Sequence, residues 1–92
     1  MQKPKVTITY CTRCKWMLRA AWMAQEILST FDQEIGEASL KPDHTGGVFE
    51  IHVNDELVFS RVTNSGFPDI KELKRLIRDK VAPGKNLGHI DR

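Results

Sequence analysis

Apolar and polar residues alternate along this chain with two different periods. Val6, Ile8 and Tyr10 alternate with Lys5, Thr7 and Thr9, the period of a strand with one buried face. Cys11 closes that strand. From residue 14 to 31 the period lengthens. With Met17 at zero and about 100° per residue, Met17, Ala21, Ala24, Leu28 and Phe31 fall within about 40° of one line. The spacing predicts a helix that buries this stripe. Lys15, Arg19 and Glu26 lie opposite, with Trp22 among them. Trp16 and Met23, on a flank with Ile27, are read as partial cover for the sheet edge, with a partner-docking patch as the sharper alternative.

Residues 37–41, EASLK, read as a short strand with Ala38 and Leu40 inward, and Pro42 to Gly47 as a loop. VFEIHVNDELVFS (48–60) reads as a hairpin. A three-residue turn, Asn54-Asp55-Glu56, gathers Phe49, Ile51, Val53, Leu57 and Phe59 on one face. A two-residue turn would set Leu57 and Phe59 opposite His52 and Glu50, so the longer turn is preferred. RVTNSGFP follows as a loop. Asp69 with Glu72 resembles a capping box, and Phe67 reads as a hydrophobic staple. Ile70, Leu73, Ile77 and Val81 form the stripe of a second helix, stopped by Pro83-Gly84. The tail KNLGHIDR has no period and is expected to be mobile.

The order is therefore βαβββα. A strand, helix and strand in succession favour a parallel pair with a right-handed crossover, and the hairpin adds antiparallel strands. Each strand alternates, so one sheet face is polar and both helices cover the other. The expectation is an α/β (α+β) two-layer sandwich: a four-stranded mixed sheet with two helices on one face. In a sheet of order 2-1-3-4, Thr45 to Gly47 and the loop Thr63 to Phe67 flank the end of the first strand.

Ninety-two residues suit a single domain, with a core over about residues 5–81 and a tail from 82 to 92. At 40% hydrophobic and 28% charged the chain is an ordinary globule and not a disordered one. A net charge of +2 is too small to argue for nucleic acid or an anionic membrane surface. No signal peptide or membrane span is read, so the expected compartment is a reducing cytoplasm. There a close cysteine pair is more often catalytic or metal-binding than structural.

Cys11 and Cys14, in the stretch TYCTRCKW, are the only cysteines. Their spacing sets two sulfurs within reach of each other, with Cys14 placed in the first helical turn. A helix N-terminus favours a thiolate, and Arg13 and Lys15 add positive charge. The arrangement suits thiol–disulfide exchange. The same spacing also suits a soft metal such as monovalent copper, or a switch in a non-catalytic adaptor. His44, His52 and His89 do not fall at zinc-finger spacing. No acid pair, phosphate loop or Ser-His arrangement is read.

The strand ending in Cys-x-x-Cys, GGVFEIHVNDELVFSR (46–61) and GFPDIKELKRLI (66–77) together resemble the selenoprotein W/T/H family, the Rdx proteins. The chain looks like a cysteine-containing, bacterial-type member. The resemblance implies a thioredoxin-like fold, a redox role of Cys11 and Cys14 linked to glutathione as co-substrate, and docking of partner proteins beside the motif. No resident cofactor or metal is expected, and the polar sheet face points to a monomer or weak dimer. Selenoprotein members carry selenocysteine at the position of Cys14, whereas thioredoxin-like enzymes attack with the first cysteine, here Cys11. Cys11 is read as the attacker and Cys14 as the resolver. Thr45-Gly46-Gly47 stands where thioredoxins place a cis-proline and is read as the substrate seat.

Overall fold

In the computed structural model, which describes residues 2–88, the strand alternation closes into one sheet. The elements are β1 (Lys5–Cys11), α1 (Met17–Thr30), β2 (Glu37–Asp43), β3 (Phe49–Val53), β4 (Glu56–Ser60), α2 (Arg61–Asn64) and α3 (Ile70–Val81). The sheet order is β2-β1-β3-β4. β1 and β2 run parallel, joined by α1, and the other pairs are antiparallel. The fold is thioredoxin-like. Val6, Ile8, Tyr10, Phe49, Ile51, Val53 and Phe59 project into one core with residues of α1 and α3.

The buried line of α1 is rotated from the predicted one. It runs Trp16, Ala20, Met23 and Ala24, Ile27, Phe31, at helical spacing. Met17 and Leu28 are 45% and 41% exposed. The cause is local. Trp16, just ahead of the helix, turns its ring edge-on to Phe49 at 6.2 Å. That contact sets the inward face, and Met17, one position on, falls outside it. Met23 is core and not edge cover. Complete burial of an Ile27-sized side chain contributes about 1.5–3 kcal/mol.

β2 extends two residues beyond its predicted end, through Pro42 to Asp43, because it is an edge strand that needs no N–H from proline on its outer side. Ala38 packs against the core, whereas Leu40 is 38% exposed. The hairpin turns in two residues, since Val53 pairs with Glu56 and His52 with Leu57. A bulge between Ile51 and His52 then restores the phase, and Ile51 pairs with Phe59. Phe59 is thus buried as expected, while Leu57 lies 48% exposed.

The segment after β4, which the sequence predicts as a loop, opens with α2, a single helical turn. Asp69 sits at the N-cap of α3 but its side chain makes no cap hydrogen bond; Glu72 pairs instead with Arg75 at 2.9 Å. Leu73 and Ile77 are buried as the stripe predicts. Lys74, only 2% exposed, reaches Glu26 at 2.9 Å and ties α3 to α1. Beyond α3, Leu87 joins the core and Lys85 pairs with Glu34 at 3.0 Å. His89 lies outside the described residues. No helix among the described residues is long and apolar enough to cross a membrane.

Candidate functional site

β1 carries Cys11 to its last position. The Thr12 N–H then donates to the Asp43 carbonyl at 3.0 Å, which holds the departing chain against β2. Residues 12–15 form a turn. Lys15 has a left-handed φ of 62°, which separates this turn from the helix. Cys14 therefore stands before α1 and not in its first turn, so the helix dipole is not the main source of stabilisation for a thiolate there. Side-chain contacts brace the turn: Thr12 Oγ1 lies 3.0 Å from His44 Nδ1.

Asp43 shapes the opposite wall. Its Oδ1 accepts the Thr45 N–H at 2.9 Å and also the Thr45 hydroxyl. These bonds hold the Asp43 carboxyl below its ordinary value of 3.8. The chain then passes through Gly46 (φ 108°) and Gly47 (φ 77°) into β3. Gly47 leads into β3 with a left-handed backbone, and its N–H lowers the pKa of both Cys11 and Cys14. Nothing lies within 4 Å of where a Cβ would stand on Gly46, so the loop is open to an approaching chain.

Both cysteines are free, and each thiol shifts the other's pKa. Burial pushes the Cys11 thiol up. The Cys14 thiol and the backbone N–H groups of Gly47, Cys14 and Arg13 donate to it and outweigh that burial, and the net direction is down. The Cys14 thiol moves up. Its bond to Cys11 is the main cause and burial the second, while the Gly47 N–H and the Arg61 guanidinium draw it back. Of the two sulfurs, Cys11 is the one on which the anion is favoured. Access runs the other way: Cys11 is 0% exposed and Cys14 is partly open.

Aromatic rings and cations form the rim. Trp16, Phe49 and Phe67 meet edge to face, with Trp16–Phe67 at 4.9 Å and Phe49–Phe67 at 5.0 Å. Phe67 thus packs into this cluster and links the loop after β4 to the motif. Arg19 lies over Phe67 at 4.0 Å and Arg61 over Trp16 at 5.0 Å. On the other side of the turn, Tyr10, Thr12, Lys15, Met17 and Leu18 line a groove of about 280 Å³. A larger depression of about 560 Å³, with Lys5, Lys41 and His52, lies on the polar sheet face away from the sulfurs.

The structure brings Cys11, Cys14 and Gly47 together, with Thr45 and Gly46 in the same loop. Arg61 was missed. The signal for it was topological: the expected sheet order already set the end of the fourth strand beside the motif, and Arg61 is the first residue past that strand.

The family model for the Rdx family matches residues 5–79. The chain is similar to a protein from Bordetella parapertussis whose crystal structure superposes with a TM-score of 0.84 at 50% identity, over 87% of this chain and 100% of that one. It is also similar to a selenoprotein W-related protein from Vibrio cholerae, with TM-score 0.82 and 46% identity over 86% and 98% of the two chains. Migration and invasion enhancer 1 of Mus musculus is 34% identical over 74 residues, 79% of this chain. The matched stretch spans 61% of that relative's length.

Proposed function

The chain belongs to the Rdx family, and from that premise we propose that it is a thiol–disulfide exchange protein working through Cys14 and Cys11. One observation carries this reading. Two free sulfurs stand close together at the end of β1, and the Gly47 N–H favours the anion on both. The groups around Cys11 favour its anion, and exchange needs a thiolate.

Accessibility supports reversing the expected order of attack. Cys11 is the sulfur whose anion is favoured but it is sealed from solvent, and Cys14 is the sulfur a substrate meets. The proton that Cys14 shares with Cys11 passes to Cys11, and the Cys14 thiolate attacks a substrate disulfide R–S–S–R′. A Cys14–S–S–R bond forms, and R′S⁻ leaves and takes the proton from Cys11. Cys11, again as thiolate, attacks the Cys14 sulfur. The Cys11–Cys14 bond forms and RS⁻ leaves as RSH. Two electrons have left the dithiol and reduced the substrate disulfide to two thiols. Two molecules of a small thiol such as glutathione run the sequence backwards and restore the dithiol.

The open loop Thr45-Gly46-Gly47 seats the backbone of the reacting chain. Thr45 shapes that loop through Asp43, since its N–H and hydroxyl are both engaged there. Met17, Leu18 and Trp22, 45%, 76% and 48% exposed, lie on α1 beside the groove at Thr12 and Lys15. Exposed apolar side chains there support a partner protein docking next to the sulfurs. A reducing cytoplasm suits this cycle.

Mass spectrometry after diamide treatment tests the proposal. The expected result is loss of two hydrogens, reversed by glutathione and titrating in glutathione buffers. An unchanged mass together with tight copper(I) binding would refute exchange. Oxidation that cycles without turnover of any disulfide would leave a switch and not an enzyme.

A further inference from the structure

Arg61 is set apart from the other buried or half-buried cations. Lys74 and Lys85 reach carboxylates at 2.9 and 3.0 Å, and Arg78 meets Asp79 at 3.1 Å. Among the described residues no carboxylate pairs with Arg61, and its Nε is buried without a hydrogen-bond partner. A buried donor in that condition is costly unless it has another use. Its surroundings show what that use is. The guanidinium lies over the ring of Trp16, two residues past Cys14. One of its terminal nitrogens stands 4.0 Å from where a Cβ would be on Gly47, the residue whose N–H favours the anion on both sulfurs.

We propose that Arg61 is the positioning residue that steadies negative charge on the Cys14 sulfur during exchange. The inference rests on the reading that Cys14 is the sulfur that meets the substrate. Between the two sulfurs, the surroundings favour the anion on buried Cys11 over Cys14. Attack requires the charge at Cys14, which stands before the helix start, so a further positive group is needed beside the protonated Cys11 thiol. The guanidinium, unpaired and held by Trp16 and the loop at Gly47, is the fixed positive charge on that side. The other charged or titratable groups at this end of the fold include Tyr10 and Cys11 of β1, Arg13 and Lys15 in the turn, Arg19 of α1, and Asp43 and His44 at the end of β2. Arg13 and Lys15 are exposed, Arg19 is turned over Phe67, Asp43 is bonded to Thr45, and His44 is bonded to Thr12. Arg61 alone among these cations is both unpaired and partly withdrawn from water.

The test uses neutral iodoacetamide in a Cys11→Ser background, where Cys14 titrates alone and its alkylation rate follows its thiolate. Arg61→Gln is expected to slow alkylation about fivefold at neutral pH, the scale of one unit charge a few ångström away in a watery setting, and to move the profile to higher pH. Arg61→Lys is expected to recover most of the rate. Salt at about 1 M should slow the chain that keeps Arg61 and leave the Gln variant unmoved, because it screens the charge. An unmoved profile in Arg61→Gln overturns the proposal. So does an Arg61→Lys variant as slow as Arg61→Gln, which would assign the residue to packing on Trp16. Should the Gln variant unfold, the salt response and the Lys variant still decide. Alkylation needs no disulfide substrate, so these outcomes do not depend on cycling. A chain that shows the Arg61 effect yet forms no disulfide in glutathione buffers refutes the exchange reading alone.

Discussion

The two ends of the sheet solve different problems. At one end β3 turns into β4 through Asn54, with a φ of 54°, and the turn is clamped to β1: the Asn54 N–H donates to the Lys5 carbonyl at 2.7 Å and its Oδ1 accepts the Lys5 N–H at 3.0 Å. One left-handed residue suffices, and its side chain fastens the strand beside it. At the other end lie Lys15, Gly46, Gly47, Ser65 and Gly66, all with positive φ. Three separate segments bend sharply there, and what they surround is a pair of sulfurs. Backbone of this kind is tolerated where the structure around it holds it in place, and it collects at functional sites. The hairpin end makes the fold; the cysteine end uses it.

Removing the sulfurs is the strongest way to break this contrast. Either Cys11→Ser or Cys14→Ser is expected to abolish formation of the disulfide, read as the loss of two hydrogens on diamide treatment. The two variants should part in stability. Cys11 is 0% exposed, so a serine there buries a hydroxyl and costs about 1 kcal/mol. Cys14 is partly open, and its serine variant should unfold with the parent chain in a denaturant titration. Unaltered cycling in either variant would refute the site.

A pair of backbone substitutions sharpens the contrast at smaller effect. Gly47→Ala forces an L residue to a φ of 77°, at a cost of roughly 1–2 kcal/mol, although the added Cβ meets only the end of the Arg61 side chain. Its N–H shifts with the strain, so alkylation of Cys14 should slow. Asn54→Gly relieves backbone strain but loses the bond to the Lys5 N–H, so its stability should stay within about 1 kcal/mol of the parent. Its thiol chemistry should not change at all. Equal effects of both substitutions on alkylation would erase the distinction between the two ends.

The contrast also explains what was legible beforehand. Alternation in Val6-Ile8-Tyr10 and Phe49-Ile51-Val53 reflects one buried face, so the strands and their order followed from it. The hairpin turn was misjudged because a bulge and a two-residue turn place Phe59 as a three-residue turn would; only Leu57 differs. The face of α1 was misjudged because Met17 and Leu28 are apolar but exposed. Hydrophobicity marks what can be buried and not what is. The cysteines were visible by spacing. Their setting was not, because it depends on Lys15 adopting a left-handed conformation that its side chain does not announce, and on a Gly47 N–H brought in from a distant segment. Thr45 was seen as a site residue, yet its polar groups face Asp43.

Asp43 gives the finest test, because it belongs to the cysteine end without touching a sulfur. Its carboxyl is held below 3.8 first by the Thr45 hydroxyl and then by the Thr45 N–H, with His44 and Lys41 adding to the effect. A carboxyl depressed by folding contributes stability that is complete above its unfolded value. That stability is lost as pH falls through the lower native value. Asp43→Asn keeps an oxygen acceptor for Thr45 but carries no charge. The gap in denaturant midpoint between the parent and this variant should therefore be widest well above pH 3.8 and close as the pH falls below it. The backbone carbonyl of Asp43, which holds the Thr12 N–H, survives the change, so the motif turn should stay in place and Cys14 should alkylate at nearly the parent rate. A constant gap across the acid range would mean that the turn at Thr45 depends on geometry alone. A large loss of thiol reactivity would mean that the carboxylate, and not only the backbone beneath it, holds the sulfurs in register.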